Sequence, residues 1–171
     1  GYFGGLQPER NLGQLCKALM RLLLTRPDLK EKIEVHVYGG NLDALSQEAF
    51  GQLPKQILKA HGRLERDENT GKSGRQRVLE AMRKSDALVL MHGQGDICRL
   101  YLPSKIYEYL WAQRPVLIFS PFPDHWAEIL DPSNHFVVQQ SDVSDVDTAL
   151  ERLIKLWENN VLTDLSINQA Y

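Results

Sequence analysis

Hydrophobic positions along this chain fall into two alternating rhythms. One apolar face at helical spacing runs from Arg10 to Thr25, through Leu12, Leu15, Cys16, Leu19, Leu22 and Leu23, and Pro27 ends it. Helical spacing returns over Val78–Lys84, over Pro103–Ala112 with proline at the first position, and briefly over Asp124–Leu130. It returns again over Asp142–Asn160, where Val143, Val146, Leu150, Leu153, Ile154 and Trp157 share a face. Between these lie runs that read as strands: Tyr2-Phe3, Ile33–Tyr38, Ile57–His61, Ala87–Met91, Pro115–Phe119 and Phe136–Val138. The continuously apolar Ala87–Met91 predicts a strand buried on both faces. A less regular helix is predicted around Leu45–Gln52, a polar loop over Glu65–Arg75, and a helical tail over Val161–Tyr171 after a domain covering 1–160.

Strands and helices alternate throughout, which predicts parallel strands joined by right-handed crossovers. The expected fold class is α/β: a doubly wound, mainly parallel six-stranded sheet with helices on both faces. Four strand ends run into glycine or a polar loop, at Gly4-Gly5, Gly39-Gly40, Gly62-Arg63 and His92-Gly93. In such sheets ligands bind beyond the carboxyl ends of the strands, so a candidate site is placed before any chemistry is considered.

Composition narrows the partners. A length of 171 residues suits one domain with a full core, and 43% hydrophobic with 25% charged residues is ordinary for a soluble globular protein. The net charge of -2 gives no basic excess to neutralise a nucleic-acid backbone. Cys16 and Cys98 have no metal-like spacing and read as reduced thiols of a cytoplasmic protein. No apolar run approaches the ~20 residues of a membrane span, and no secretory leader is recognised. Peripheral membrane association of a longer protein is left open.

The stretch richest in chemistry is Leu102-Pro103-Ser104-Lys105-Ile106-Tyr107-Glu108-Tyr109-Leu110, followed by Gln113-Arg114-Pro115-Val116-Leu117. It predicts a helix whose first N–H groups are open to an anion such as pyrophosphate. Ser104 adds a hydroxyl and Lys105 a point charge, and the spacing puts Glu108 on the same helical face. A carboxylate there does not suit phosphate but suits the paired hydroxyls of a ribose. The plainer reading is an exposed Lys105–Glu108 pair worth a few tenths of a kcal/mol. Three other signals are set aside. Gly71-Lys72-Ser73 lacks the earlier glycine of a phosphate-binding loop, because Arg66 stands there. Gly1, Gly4 and Gly5 do not match the dinucleotide fingerprint. His36, His61, His92, His125 and His135 contain no HxH or HxxxH pair, so no metal is expected; His92 follows a buried strand and reads as a loop residue or a crevice lining.

Taken in order, the segments resemble the C-terminal, donor-binding domain of retaining GT-B glycosyltransferases of the glycogen-synthase-like superfamily, one Rossmann-like half of a GT-B fold. The resemblance rests on Phe3-Gly4-Gly5-Leu6 through Pro8-Glu9-Arg10-Asn11-Leu12, Val37-Tyr38-Gly39-Gly40, His61-Gly62-Arg63-Leu64, Ser85-Asp86-Ala87-Leu88-Val89-Leu90 and the Pro103–Glu108 stretch, and spans about Tyr2 to Trp157. It implies a nucleoside-diphosphate sugar as donor and no metal or other cofactor. An acceptor would be held by an N-terminal domain that this chain lacks, so the chain by itself is expected to be inactive. By the same resemblance Glu108 binds the ribose hydroxyls, the backbone at Arg63-Leu64 meets the base, and Pro103, Ser104 and Lys105 receive the pyrophosphate. Arg10 stands where the family has a phosphate-facing lysine, and Gly5 and Gly39, at the first two strand ends, are further candidate donor-binding residues. Two departures stand out. Gly5 replaces the usual arginine of the opening loop, and Leu100 replaces the acid eight residues before Glu108. They motivate the alternative of a degenerate, non-catalytic module that binds a nucleotide or a protein. A generic receiver- or flavodoxin-like domain also fits the alternation but leaves the Pro103–Glu108 helix unexplained.

Overall fold

The computed structural model describes residues 1–127 and 129–162. Among the described residues six strands and five α-helices alternate, except that a 3-10 turn over Pro123–Trp126 stands between the last two strands, and the chain divides into two compact units, Gly1–Val78 and Leu79–Tyr171. The strands form a six-stranded sheet in the order β3-β2-β1-β4-β5-β6, where β1 is Tyr2–Gly4, β2 Val35–Gly39, β3 Leu58–Gly62, β4 Leu88–Met91, β5 Val116–Ser120 and β6 Phe136–Gln139. This is the α/β architecture that the alternation predicts.

In the first unit β1 pairs with β2 and β2 with β3, both parallel. The crossover between β1 and β2 contains α1, Gly13–Thr25, whose buried stripe is Leu15, Cys16, Ala18, Leu19, Leu22 and Leu23. Each fully buried leucine of that stripe contributes ~1.5–3 kcal/mol, which outweighs the helix's lack of a side-chain cap at Leu12. Burial pushes the Cys16 thiol up to about 12, so it stays an inert, protonated core group at neutral pH. The helix begins three residues later than its apolar spacing suggests. Asn11 explains the difference: its side chain donates to the Pro8 carbonyl at 2.6 Å and accepts from the Gly13 N–H at 2.9 Å, which holds Pro8–Asn11 in a turn. Arg10 is therefore in this turn, not in the first helical turn.

The second crossover carries α2, Ala44–Gly51, capped by Asp43, which accepts from the Leu45 and Ser46 N–H groups. α3, Gly74–Lys84, starts four residues before the predicted Val78. Its start is a reciprocal capping box: Ser73 Oγ accepts from the Gln76 N–H and Gln76 Oε1 accepts from the Ser73 N–H at 2.8 Å.

In the second unit β4, β5 and β6 are parallel neighbours. Every residue of β4 and β5 is buried, as continuous apolar runs require. α4 is short, Lys105–Trp111, with Pro103 and Ser104 in the turn before it. The predicted helix over Asp124–Leu130 is instead a 3-10 turn over Pro123–Trp126. α5, Val143–Glu158, is capped by Asp142, and the Asp145 carboxylate of its first turn reaches back to the Gln139 N–H at 2.6 Å. The expected tail falls on 163–171, outside the described residues, except for Val161 and Leu162, which are not helical.

One core contact is pH-sensitive. His135 is buried, and its Nδ1 accepts from the Val116 N–H at 3.2 Å at the start of β5. Burial lowers its pKa below the ordinary 6.5, and Asp131 only partly opposes this. The unfolded chain therefore takes up the proton first. The stability is fully present above about pH 6.5 and falls as pH drops through the folded-state pKa. Thermal melts should show a lower midpoint at pH ~5.5 than at pH ~7.5, and His135→Gln should flatten that dependence. A midpoint equally pH-dependent in the variant would exclude His135 as the cause.

Candidate functional site

The predicted residues fall into two sets, one at carboxyl ends of strands in the first unit and one around α4 in the second. In the first unit β1 and β2 end side by side, with Gly4 paired to Gly39. Gly39 has φ +126°, and a Cβ there would lie 2.5 Å from the Gly4 carbonyl oxygen. No side chain fits, which is the physical reason for glycine at this strand end. Gly5 follows, open on its Cβ side, and its carbonyl accepts from the Tyr2 hydroxyl at 3.0 Å. Burial pushes the Tyr2 phenol up to about 12, with Arg10 lowering it and Asp43 raising it further. The loop closes on itself through Gln7 and Arg10, whose backbone groups bond to each other. The half-buried Arg10 is thus held near the Gly5 turn by backbone rather than by a helix.

Arg63 and Leu64 follow β3. Arg63 is exposed and its guanidinium lies 3.3 Å from Glu65, an exposed pair of the kind that contributes little to stability. The backbone of this loop is fixed from α3. Gly74 packs directly on the Leu64 carbonyl, where a Cβ would collide with it, and Arg77 donates to the Glu65 carbonyl at 2.7 Å. The loop whose backbone is expected to meet a base is thus held against the start of α3.

In the second unit the Pro103–Glu108 stretch is organised around α4. Ile106 and Tyr109 bury the inner face, and the Tyr109 hydroxyl donates to the Val89 carbonyl of β4 at 3.2 Å. On the partly exposed side Lys105 Nζ donates to Glu108 Oε2 at 2.8 Å. Their side chains are 35% and 27% exposed, so both charges reach solvent from a pinned helix. The plain reading of the spacing, an ion pair one turn apart, is what the structure contains, and it also places a cation and a carboxylate acceptor together on that face. Ser104 precedes the helix and makes no cap bond. Leu100, at the departure from the family pattern, is 84% exposed in a 3-10 turn over Asp96–Leu100. Neighbouring Arg99 lies over the Phe122 ring at 5.2 Å.

Two features were not visible in the sequence spacing. His92 is fully buried at the end of β4; its Nδ1 lies 3.1 Å from Ser120 Oγ, and its ring meets Tyr101, Phe122 and Trp126 edge-on. It is a core residue and not an exposed lining. His36 and His61, on different strands, have ring nitrogens 2.9 Å apart. Among the described residues, no three His, Cys, Asp or Glu side chains gather as a metal cage, and no helix is long and apolar enough to cross a membrane.

No protein-family model matches the chain, and no curated protein matches it in sequence. Solved structures do match. The chain is similar to the crystal structure of an α,α-trehalose 6-phosphate synthase from Burkholderia multivorans, with a TM-score of 0.60 and 15% identity over 91% of this chain. The fold is α/β and Rossmann-like. The chain spans about a third of that synthase's length, 34%. At this identity the likeness concerns the fold.

Proposed function

We propose that this chain is the donor-binding half of a GT-B-type retaining glycosyltransferase, holding a nucleoside-diphosphate sugar for transfer to an acceptor on an N-terminal domain. The observation that carries this reading is the Lys105–Glu108 pair on α4, half exposed on a helix anchored to β4. Similarity in fold to a synthase of a sugar phosphate supports it, as does the order of the Gly4-Gly5, Gly39, Arg63-Leu64 and Pro103–Glu108 segments.

In this reading Glu108 accepts from the ribose hydroxyls. After the turn set by Pro103, which has no N–H of its own, the Ser104 and Lys105 N–H groups are the ones offered to the diphosphate, and the Lys105 ammonium supplies positive charge. Arg10 of the first unit is a further candidate cation. Gly5, open on its Cβ side, admits the donor close to backbone, Gly39 lets the neighbouring strand end approach Gly4, and the Arg63-Leu64 segment meets the base. The departing diphosphate is stabilised by fixed dipoles and cations, a preorganised field aimed at developing negative charge, with no metal or other cofactor. The setting is cytoplasmic. Lys105 must turn from Glu108 toward phosphate as the donor arrives, and because the pair is solvent-reaching, that exchange costs about 1 kcal/mol or less.

A second reading, a degenerate module that binds a nucleotide or a protein without transfer, is favoured by the exposed Leu100 in place of an acid. A screen of nucleotide sugars separates the two readings. Donor binding is expected to weaken about tenfold or more in Glu108→Ala, the loss of charge-assisted hydrogen bonds. Donor affinity equal in Glu108→Ala and the unmodified chain would contradict the site assignment. Binding without any transfer in the protein joined to its acceptor domain would favour the degenerate module.

A further inference from the structure

On the first unit two histidines from different strands meet. His36 of β2 is paired in register with Lys59 of β3, and the register shifts so that Tyr38 faces Gly62. His61 comes between these columns, with its ring stacked 4.3 Å from Tyr38, which in turn stacks 4.6 Å from Phe3. Those stacks fix the His61 ring. His36 is fixed from its other edge, where Nε2 lies 2.8 Å from Glu34 Oε2. An ionised carboxylate only accepts, so Nε2 carries the proton and the Nδ1 lone pair is turned toward His61. A carboxylate behind a histidine is the arrangement by which proteins set the tautomer and aim of a metal-binding imidazole.

We propose that His36 Nδ1 and His61 Nε2 form a two-nitrogen site for a divalent transition-metal ion of the Cu2+ or Ni2+ class, with Glu34 as the outer-shell acceptor. The spacing carries the choice of ion. At metal–nitrogen distances of ~2.0–2.1 Å, two ligands at a right angle are ~2.9 Å apart, whereas a tetrahedral ion needs ~3.4 Å. The two nitrogens are 2.9 Å apart. On binding, the hydrogen bond between the rings is exchanged for two coordination bonds. His61 carries its proton on Nδ1 instead of Nε2, so none is released. Water completes the coordination. Lys59 Nζ lies 3.8 Å from Glu34 Oε1, the oxygen not bonded to His36, and adds a positive charge that the carboxylate offsets. With two protein ligands on an exposed face, micromolar affinity is expected.

The test is calorimetric titration of the tag-free 171-residue chain with NiCl2, about one unit above the ordinary histidine pKa. One ion per chain is expected, with binding weakened about tenfold or more in His36→Gln and in His61→Gln. Weakening of several-fold is expected in Glu34→Gln and no change in His125→Gln. Thermal melts identify which histidine variants fold, and either one suffices because each removes one of the two ligands. Should both unfold, selective broadening of the His36 and His61 ring resonances by Ni2+ in the unmodified chain supports the site, and broadening elsewhere overturns it. Absence of saturable binding, or binding as tight in a folded histidine variant as in the unmodified chain, also overturns it.

Discussion

Gly39→Ala is expected to destabilise the protein by about 3 kcal/mol or more, at the upper end of single-substitution effects. The added Cβ would lie 2.5 Å from the Gly4 carbonyl oxygen and 2.9 Å from the Gly4 carbonyl carbon. Both are backbone atoms of a paired strand, so neither can rotate aside. Gly39 also has φ +126°, where a side chain is strained whatever the space. Relief requires β1 and β2 to separate at their carboxyl ends, which breaks the Gly4–Gly39 register and moves the Gly5 turn. Gly40→Ala is the matched control, because nothing lies within 4 Å of a Cβ there; its effect is expected within ~0.5 kcal/mol. Denaturant midpoints for the two variants measure the difference directly. Equal midpoints would mean that the close approach of the strand ends is absent in solution.

Trp126→Ala is expected to cost ~3–5 kcal/mol, the range for removing a buried aromatic side chain from a core that cannot collapse around the cavity. Trp126 is fully buried and meets the His92 ring edge-on at 5.5 Å. His92 is in turn bonded to Ser120 at the end of β5, so the cavity would open beneath the carboxyl ends of β4 and β5. Trp126→Phe should cost clearly less. It keeps an aromatic ring, and the lost indole N–H is buried with no hydrogen-bond partner among the described residues. Thermal melts of both variants read this ordering. If alanine proved as mild as phenylalanine, Trp126 would not be packed as described.

Legibility in the sequence followed the range of each signal. Leu88–Met91 and Val116–Phe119 were readable as strands because burial on both faces favours an unbroken apolar run. The α1 stripe was readable because its period persists over several turns. Boundaries were less legible where side chains compete with the helix for backbone groups. Asn11 delays α1 by bonding to Pro8 and Gly13, whereas Ser73 and Gln76 start α3 early. In the Gly71-Lys72-Ser73 segment the structural signal is Ser73 with Gln76 three residues on, a helix cap, and not the glycine and lysine. Of the candidate site, the Lys105–Glu108 contact was written in local spacing and is present. The His36–His61 contact was not, because 25 residues separate the two and only the β2–β3 register joins them. The depth of His92 was equally hidden, since it depends on Ser120, Phe122 and Trp126 folding over it from the next strand's end.

A nucleoside-diphosphate donor held through Glu108 should be detectable by calorimetric titration of the 171-residue chain with UDP and with GDP. Weak but saturable binding of one of them is expected, lost in Glu108→Ala and retained in His125→Gln, with no transferase activity in the chain alone. Failure of both nucleotides to bind at millimolar concentration, or binding indifferent to Glu108→Ala, would contradict it.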